Sequence, residues 1–302
     1  MVSKKSFVCI LAILVNIGFA GATTLNVGVG QPYTTIQSAV EAANPGDTIS
    51  VGEGIYNENV LIKKNQIDLI GQNREKTIID GRMTSSGIRI DESYNVRISG
   101  FTVRNCGGGA KEDGGVTLYK ARANTVSNLL VTENSVGISI HTGSNDNIIS
   151  GNEVILNKGK EAKGIYVFSS EGNRIFNNNI KDNPYGLFSD YGRKNYIYSN
   201  NFIYNTIQAY DNSGMNTWDH GKNGNYWSDF QGDGMYNIDG RKAFDIIPRS
   251  GPVLIKFDIF PSSFEQQDER SPPVSANFII PTLIIGVLFL IGVIILQQRK
   301  LK

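Results

Sequence analysis

Apolar positions in this chain fall into short repeated groups. Segments that begin and end with Asn, ten positions apart, recur at 124–134, 147–157, 173–183 and 195–205. Within them Val126, Ile149, Ile175 and Ile197 share one position, and Val131, Val154, Ile180 and Phe202 share another. Asn95 to Asn105 keeps the flanking pair but shifts its apolar residues. Between the Asn blocks lie Gly87-Ile-Arg-Ile, Gly115-Val-Thr-Leu, Gly137-Ile-Ser-Ile, Gly164-Ile-Tyr-Val and Gly186-Leu-Phe-Ser. Apolar residues alternating with others over four positions have the period of a strand with one buried face. The predicted unit is strand, turn, strand, turn over about 22–28 residues, too small to bury a core alone and so obliged to stack on its neighbours.

If each unit is one coil, equivalent strands pair at ~4.8 Å into long parallel sheets around a continuous interior. The expected fold is therefore all-β: a right-handed, single-stranded parallel β-helix. Asn suits its turns, because it tolerates left-handed backbone and its amide can bond the amide of the next coil. Asn152, Asn178 and Asn200 are the candidates for an inward ladder of that kind. The coils are expected over residues 48–212.

Before them, residues 23–47 read as a strand and a short capping helix, with apolar spacing at Ile36, Ala39, Val40 and Ala43 and Thr34 or Thr35 as N-cap. After them, residues 213–260 form a Trp/Tyr-rich end in which Trp218, Tyr226 and Trp227 can cover the open core. Residues 261–277 are polar and Pro-bearing, as a semi-extended stalk should be.

The extremes of the chain carry their own signals. Lys4 and Lys5, an apolar stretch to Phe19 and then Ala20-Gly21-Ala22 predict an export signal over residues 1–22. Residues 278–296 are apolar and uncharged, long enough for a transmembrane helix, and a basic tail over 297–302 places the C-terminus in the cytoplasm. This predicts a single-pass membrane protein whose domain faces outward. Its net charge of +1 gives no broad attraction to nucleic acid. Once Cys9 departs with the signal, Cys106 is alone, so no intrachain disulfide can form.

The run from Tyr33 to Val40, with Gly46-Asp-Thr-Ile, Gly54-Ile-Tyr, Glu58-Asn-Val and Leu69-Ile-Gly, resembles the opening of pectate-lyase-like right-handed β-helix proteins. The Asn-rich repeats, followed by Asn216-Thr-Trp-Asp-His-Gly-Lys-Asn-Gly-Asn-Tyr-Trp-Ser-Asp-Phe230, resemble the NosD-like branch found in many archaeal surface proteins. Together the two cover roughly residues 25–250. The resemblance implies either a role in maturing an exported copper enzyme or a carbohydrate-binding or sugar-hydrolysing domain. Copper calls for clustered soft or imidazole ligands. His141, His220, Cys106, Met83, Met215 and Met235 are instead scattered along the chain. Asp229, Asp233 and Asp239 are weak candidates for calcium, in a degenerate version of the acid-rich end that usually follows the Trp-rich motif.

Placing the apolar residues of the Gly-Ile-x-Ile strands inside puts the others outside. One outward file then reads Arg89, Thr117, Ser139, Tyr166, Phe188 and Gln208, and the next Asp91, Tyr119, His141, Phe168, Asp190 and Tyr210. From these, Tyr119, His141, Tyr166, Phe168, Phe188, Asp190 and Tyr210 are the candidate ligand-binding residues. Aromatic faces offer apolar area at low entropy cost while polar neighbours orient hydroxyls, so an extended glycan or another cell-envelope component is the expected partner. The same strip could instead pack beneath a loop, beneath the segment after Tyr210, or against a second subunit. Catalysis would need two carboxylates at a controlled separation, or an arginine base such as Arg174 or Arg193 with bound calcium. The balance leans against an enzyme, with a polysaccharide lyase or hydrolase as the alternative.

Overall fold

A computed structural model of the protein describes residues 21–257. The expected stalk, transmembrane helix and cytoplasmic tail, and all but the last two residues of the expected export signal, lie outside the described residues. Among the described residues no helix is long and apolar enough to cross a membrane.

The chain winds into a solenoid of three parallel sheets which, in the order the chain visits them in each coil, have eight, eight and nine strands. Neighbours within a sheet are separated by one full turn of the chain: Thr125–Ser127 pairs with Arg97–Ser99 on one side and Ile148–Ser150 on the other. A single antiparallel pairing among the described strands, Tyr236–Gly240 with Ala243–Asp245, ends the third sheet. Each coil thus holds three strands where the repeat predicted two. The Asn block supplies two of them, Ile148–Ser150 and Glu153–Ile155 for instance, and the glycine-led segment supplies the third, Lys163–Phe168. The break inside the block is a single left-handed residue, such as Gly151 (φ 64°) or Asn177 (φ 54°), too brief to register as a turn in the sequence.

The interior is a continuous file of Ile, Val and Leu, with Val126, Ile149, Ile175 and Ile197 at 0–1% exposure. Asn occurs in it at five-residue spacing, as at Asn147, Asn152 and Asn157, and builds three ladders rather than one. In each, the amide Nδ2 donates to the Oδ1 of the Asn one coil later, at 2.8–3.2 Å. That same Oδ1 also accepts the backbone N–H of the preceding Asn. The expected ladder of Asn152, Asn178 and Asn200 is the middle one.

The left-handed conformation expected of these Asn belongs to the residue before most of them: Ala123, Glu133, Asp146, Gly151, Leu156, Gly172, Asn177, Asp182, Lys194, Ser199 and Tyr204. The ladders share one polarity, so each ends on an N–H that needs an acceptor. Asp211 takes Asn216, Gln208 takes Asn205 and Asp245 takes Asn225.

At the other end Ile36–Ala42 is helical, with Thr35 as its N-cap and the Glu58 carboxylate accepting from the N–H groups of Ile36 and Gln37 at 3.0 and 3.1 Å. Its Ile36, Ala39 and Val40 join the core. Beyond the last coil Trp218 and Trp227 are fully buried, and Trp227 stacks between Phe202 (4.3 Å) and Tyr236 (4.1 Å).

Candidate functional site

The third sheet turns its outer face to solvent, and its register decides which side chains align there. Arg89, Thr117, Ser139, Tyr166 and Phe188 form one file, as expected from the sequence. The last coil corrects that file. Phe188 pairs with Tyr210, so Tyr210 belongs to the first file, and Gln208 falls opposite Gly186. A Cβ on Gly186 would lie 2.9 Å from the Asn205 amide, so this position points inward. Gln208, in the same place one coil later, turns its amide in to close a ladder. The second file runs Asp91, Tyr119, His141, Phe168 and Asp190.

The candidate residues Tyr119, His141, Tyr166, Phe168, Phe188, Asp190 and Tyr210 all lie on this face, half-buried. Their rings are continuous. His141 stacks on Phe168 at 4.5 Å and Phe188 on Tyr210 at 4.8 Å, and Tyr166 bridges the two files, 6.0 Å from both His141 and Phe188. Tyr119 extends the series below His141, and Tyr191 flanks Phe168. Burial holds the His141 imidazole below its ordinary pKa and pushes the Tyr166 hydroxyl up to about 12, assisted by Asp190 and Glu112. Asp190 accepts a hydrogen bond from Asn212.

Sequence reasoning missed Lys163 and Tyr185. Both share the parity of buried residues, Ile165 and Leu187, so strict alternation assigns them inward. Yet the Lys163 ammonium lies over Tyr166 and Phe188 at 5.3 Å and Tyr185 at 5.9 Å. It donates to the Glu161 carbonyl at 2.8 Å and, among the described residues, forms no ion pair within 4.0 Å. Desolvation lowers its pKa. At the lower end the Arg89 guanidinium covers Tyr119 at 4.6 Å.

Beside the upper end of the strip is a cavity of about 700 Å³ bordered by Tyr191, Tyr210, Asn212, Arg193, Glu171 and Arg241. Arg193 is committed there to Glu171 at 3.0 Å, and Arg174 lies on the first sheet with its guanidinium on the Tyr198 hydroxyl. Asp91 and Asp190 are separated by four strand steps, ~19 Å at the usual spacing, twice the widest separation of a glycosidase pair.

Asp229 receives hydrogen bonds from Gln208 and Tyr236, and Asp239 aligns with Tyr210. Neither these with Asp233 nor any other three His, Cys, Asp or Glu side chains gather into a metal-holding group among the described residues.

These features define a parallel β-solenoid with an aromatic and cationic outer strip. The family model described as "Periplasmic copper-binding protein (NosD)" matches residues 29–232, and the chain belongs to that family. The fold is similar to that of pectate lyase Pel9A (16% identity, TM-score 0.52), covering 69% of this chain and 62% of that one. Other structures are more distant: an alginate lyase from Paenibacillus sp. str. FPU-7 (18% identity, TM-score 0.44, 68% of this chain and 76% of that one) and a pectin methylesterase from carrot (14%, 0.41, 60% and 62%). No curated protein sequence matches the chain.

The copper in the family's description does not fit the donors present. Cys106 is buried in the core with its thiol pushed up to about 12, His141 is stacked between rings, and His220 sits beside Tyr196 and Tyr198 on another face. Met83, Met215 and Met235 are exposed.

Proposed function

We propose that the protein is an exported solenoid that holds an extended, acidic glycan against the outer face of its third sheet, tethered to the membrane by the apolar segment 278–296. The observation that carries this reading is Lys163. A half-buried ammonium among three rings, with the Glu161 and Asp190 carboxylates acting on it only from beyond ion-pair distance, is a seat for an anionic substituent, and the rings beside it are platforms for sugar faces. Strand spacing repeats these platforms every ~4.8 Å along the stack, a step comparable with one sugar ring in an extended chain. The names of the structural neighbours, pectate lyase and alginate lyase, accord with a carbohydrate partner.

Binding rather than cleavage is favoured by the wide separation of Asp91 and Asp190 and by the engagement of Arg193 with Glu171. The test is retention of the purified protein on acidic and neutral polysaccharides, with and without calcium, together with an assay of depolymerisation. Replacing Tyr166, Phe188 and Tyr210 with Ala should weaken retention by about 1 kcal/mol per ring while leaving the far-ultraviolet dichroism intact. Equal retention of the triple variant and the parent on every acidic glycan would remove the proposal, and release of shortened chains would replace it with a lyase or hydrolase.

A further inference from the structure

The first file does not stop at Tyr166, its lowest ring. Thr117 and Ser139 continue the file below Tyr166, yet both are fully buried. Thr117 lies under the segment 107–114, its hydroxyl donating to the Glu112 carbonyl at 3.1 Å. Among the described residues the Ser139 Oγ has no hydrogen-bond partner. A buried hydroxyl without a partner carries its full desolvation cost, and the positions where a fold tolerates such a cost are often functional.

The covering segment, Gly107-Gly-Gly-Ala-Lys-Glu-Asp-Gly114, is rich in glycine. Gly107 and Gly108 have φ values of 121° and 87°, open to glycine but strained for other residues. Its ends are pinned by backbone bonds, Gly107 N–H to the Ser85 carbonyl at 2.9 Å and Gly87 N–H to the Gly114 carbonyl at 3.0 Å; between them the span is held by the Thr117 hydroxyl on the Glu112 carbonyl and by the Asp113 carboxylate, which accepts from the Ser86 hydroxyl and, within the loop, from the Ala110 N–H, each at 2.8 Å. Arg89, on the same file, approaches Asp113 and Asp91 only at 4.0 Å and lies over Tyr119, so its guanidinium is not locked in a close ion pair.

We infer that the strip continues beneath this loop as a covered subsite, floored by Ser139 and Thr117 and ended by Arg89, which receives further hydroxyl and acidic groups of the same glycan when the loop lifts. This rests on the glycan reading above. With the loop down, the open part of the first file runs from Tyr166 to Tyr210, two strand steps or ~10 Å; with it raised, Arg89 to Tyr210 gives five steps, ~24 Å. Lifting the loop then costs the long ligand part of its affinity and the short ligand nothing, as for any binding-competent state that is only partly populated.

The test measures dissociation constants of the full chain in detergent for acidic oligouronides of increasing length. Asp113→Ala, which frees the loop, should tighten binding of long oligomers by about tenfold and leave short ones unchanged. Ser139→Ala should weaken long oligomers by about fivefold, leave short ones unchanged, and raise the thermal midpoint by about 2–4 °C, because the unpartnered hydroxyl is gone. Should Asp113→Ala fold poorly, amide exchange of 107–114 in the parent serves in its place: long oligomers should change its protection and short ones should not. Variants that move long and short oligomers equally, or exchange that ignores ligand length, would overturn the covered subsite alone. Absence of binding at every length would overturn it together with the glycan reading.

Discussion

Asn178 is the most informative single position in the core. Its Oδ1 accepts from the Asn152 backbone N–H and from the Asn152 Nδ2, each at 3.0 Å. Its own Nδ2 donates to Ile149 O (2.9 Å), Phe176 O (3.0 Å) and Asn200 Oδ1 (3.0 Å). Asn178→Ala strands the Asn152 N–H in the interior, at about 1–3 kcal/mol, and also loses the Nδ2 bonds and leaves a small void, for a total of about 3–5 kcal/mol. Asn179, one residue on, is half-buried on the outer face with a single side-chain bond from Asn201, so Asn179→Ala should cost about 0.5–1 kcal/mol.

Urea titration reads both ends of the solenoid: fluorescence of Trp218 and Trp227 reports the last coils, and alkylation of Cys106 the earlier ones. Two probes are needed because stacked repeats can unfold in parts. If Asn178→Ala lowers stability no more than Asn179→Ala, the ladder is not what holds the coils in register.

Three further outcomes follow from other sites. Burial raises the pKa of Asp245, so its contribution to stability is complete below the unfolded value of ~3.9 and is lost as pH rises through the folded value. Asp245→Asn should therefore flatten the decline in urea midpoint from pH 4 to 8, and parallel curves for the two proteins would contradict this. Cys106, at 0% exposure with its thiol pushed up to about 12, should resist alkylation at pH 8 until the coils open; modification in native buffer would show the core to be looser than described. Lys163→Met should keep the rings supported yet cut retention of acidic glycans by about tenfold relative to neutral ones, and an unchanged ratio of the two would assign the selectivity elsewhere.

The stacking principle was legible because it repeats. Asn at equal spacing and Ile or Val two positions later mark the same point of every coil, and the middle ladder could be read directly from them. What was hidden was local. The left-handed position before most ladder Asn is filled by residues as unlike as Leu156, Asp182 and Tyr204, so no residue type announces it, and the third strand of each coil went unseen for the same reason.

The register of Tyr210, by contrast, was readable. Gly137 and Gly186 follow Asn134 and Asn183 by three residues, Gln208 follows Asn205 by three, and Ser139, Phe188 and Tyr210 each follow by five. Lys163 could not be reached this way, because four residues inserted after Asn157 remove the count and parity then points the wrong way. The cover over Thr117 was equally out of reach: alternation says which side of a strand a residue faces, not how the loop that precedes the strand folds back over it.

The division of labour between the two faces of the sheet is the reason to assign the outer strip a ligand. Inside, every position answers to the fold: Ile and Val fill the prism, glycine clears the space beside the ladder amides, and Asn carries hydrogen bonds from coil to coil. Outside, an antiparallel or parallel rung needs only a residue compatible with β geometry and water, and Thr, Ser, Lys or Arg would serve. Tyr119, His141, Tyr166, Phe168, Phe188 and Tyr210 are instead large rings kept half in solvent on successive coils, where they add nothing to the core and increase the risk of association. A ladder that fixes the coil spacing without using the outer face leaves that face free to be spaced for something else, and rings at strand intervals beside an ammonium that makes no close ion pair among the described residues are the ground for the proposed anionic polymer.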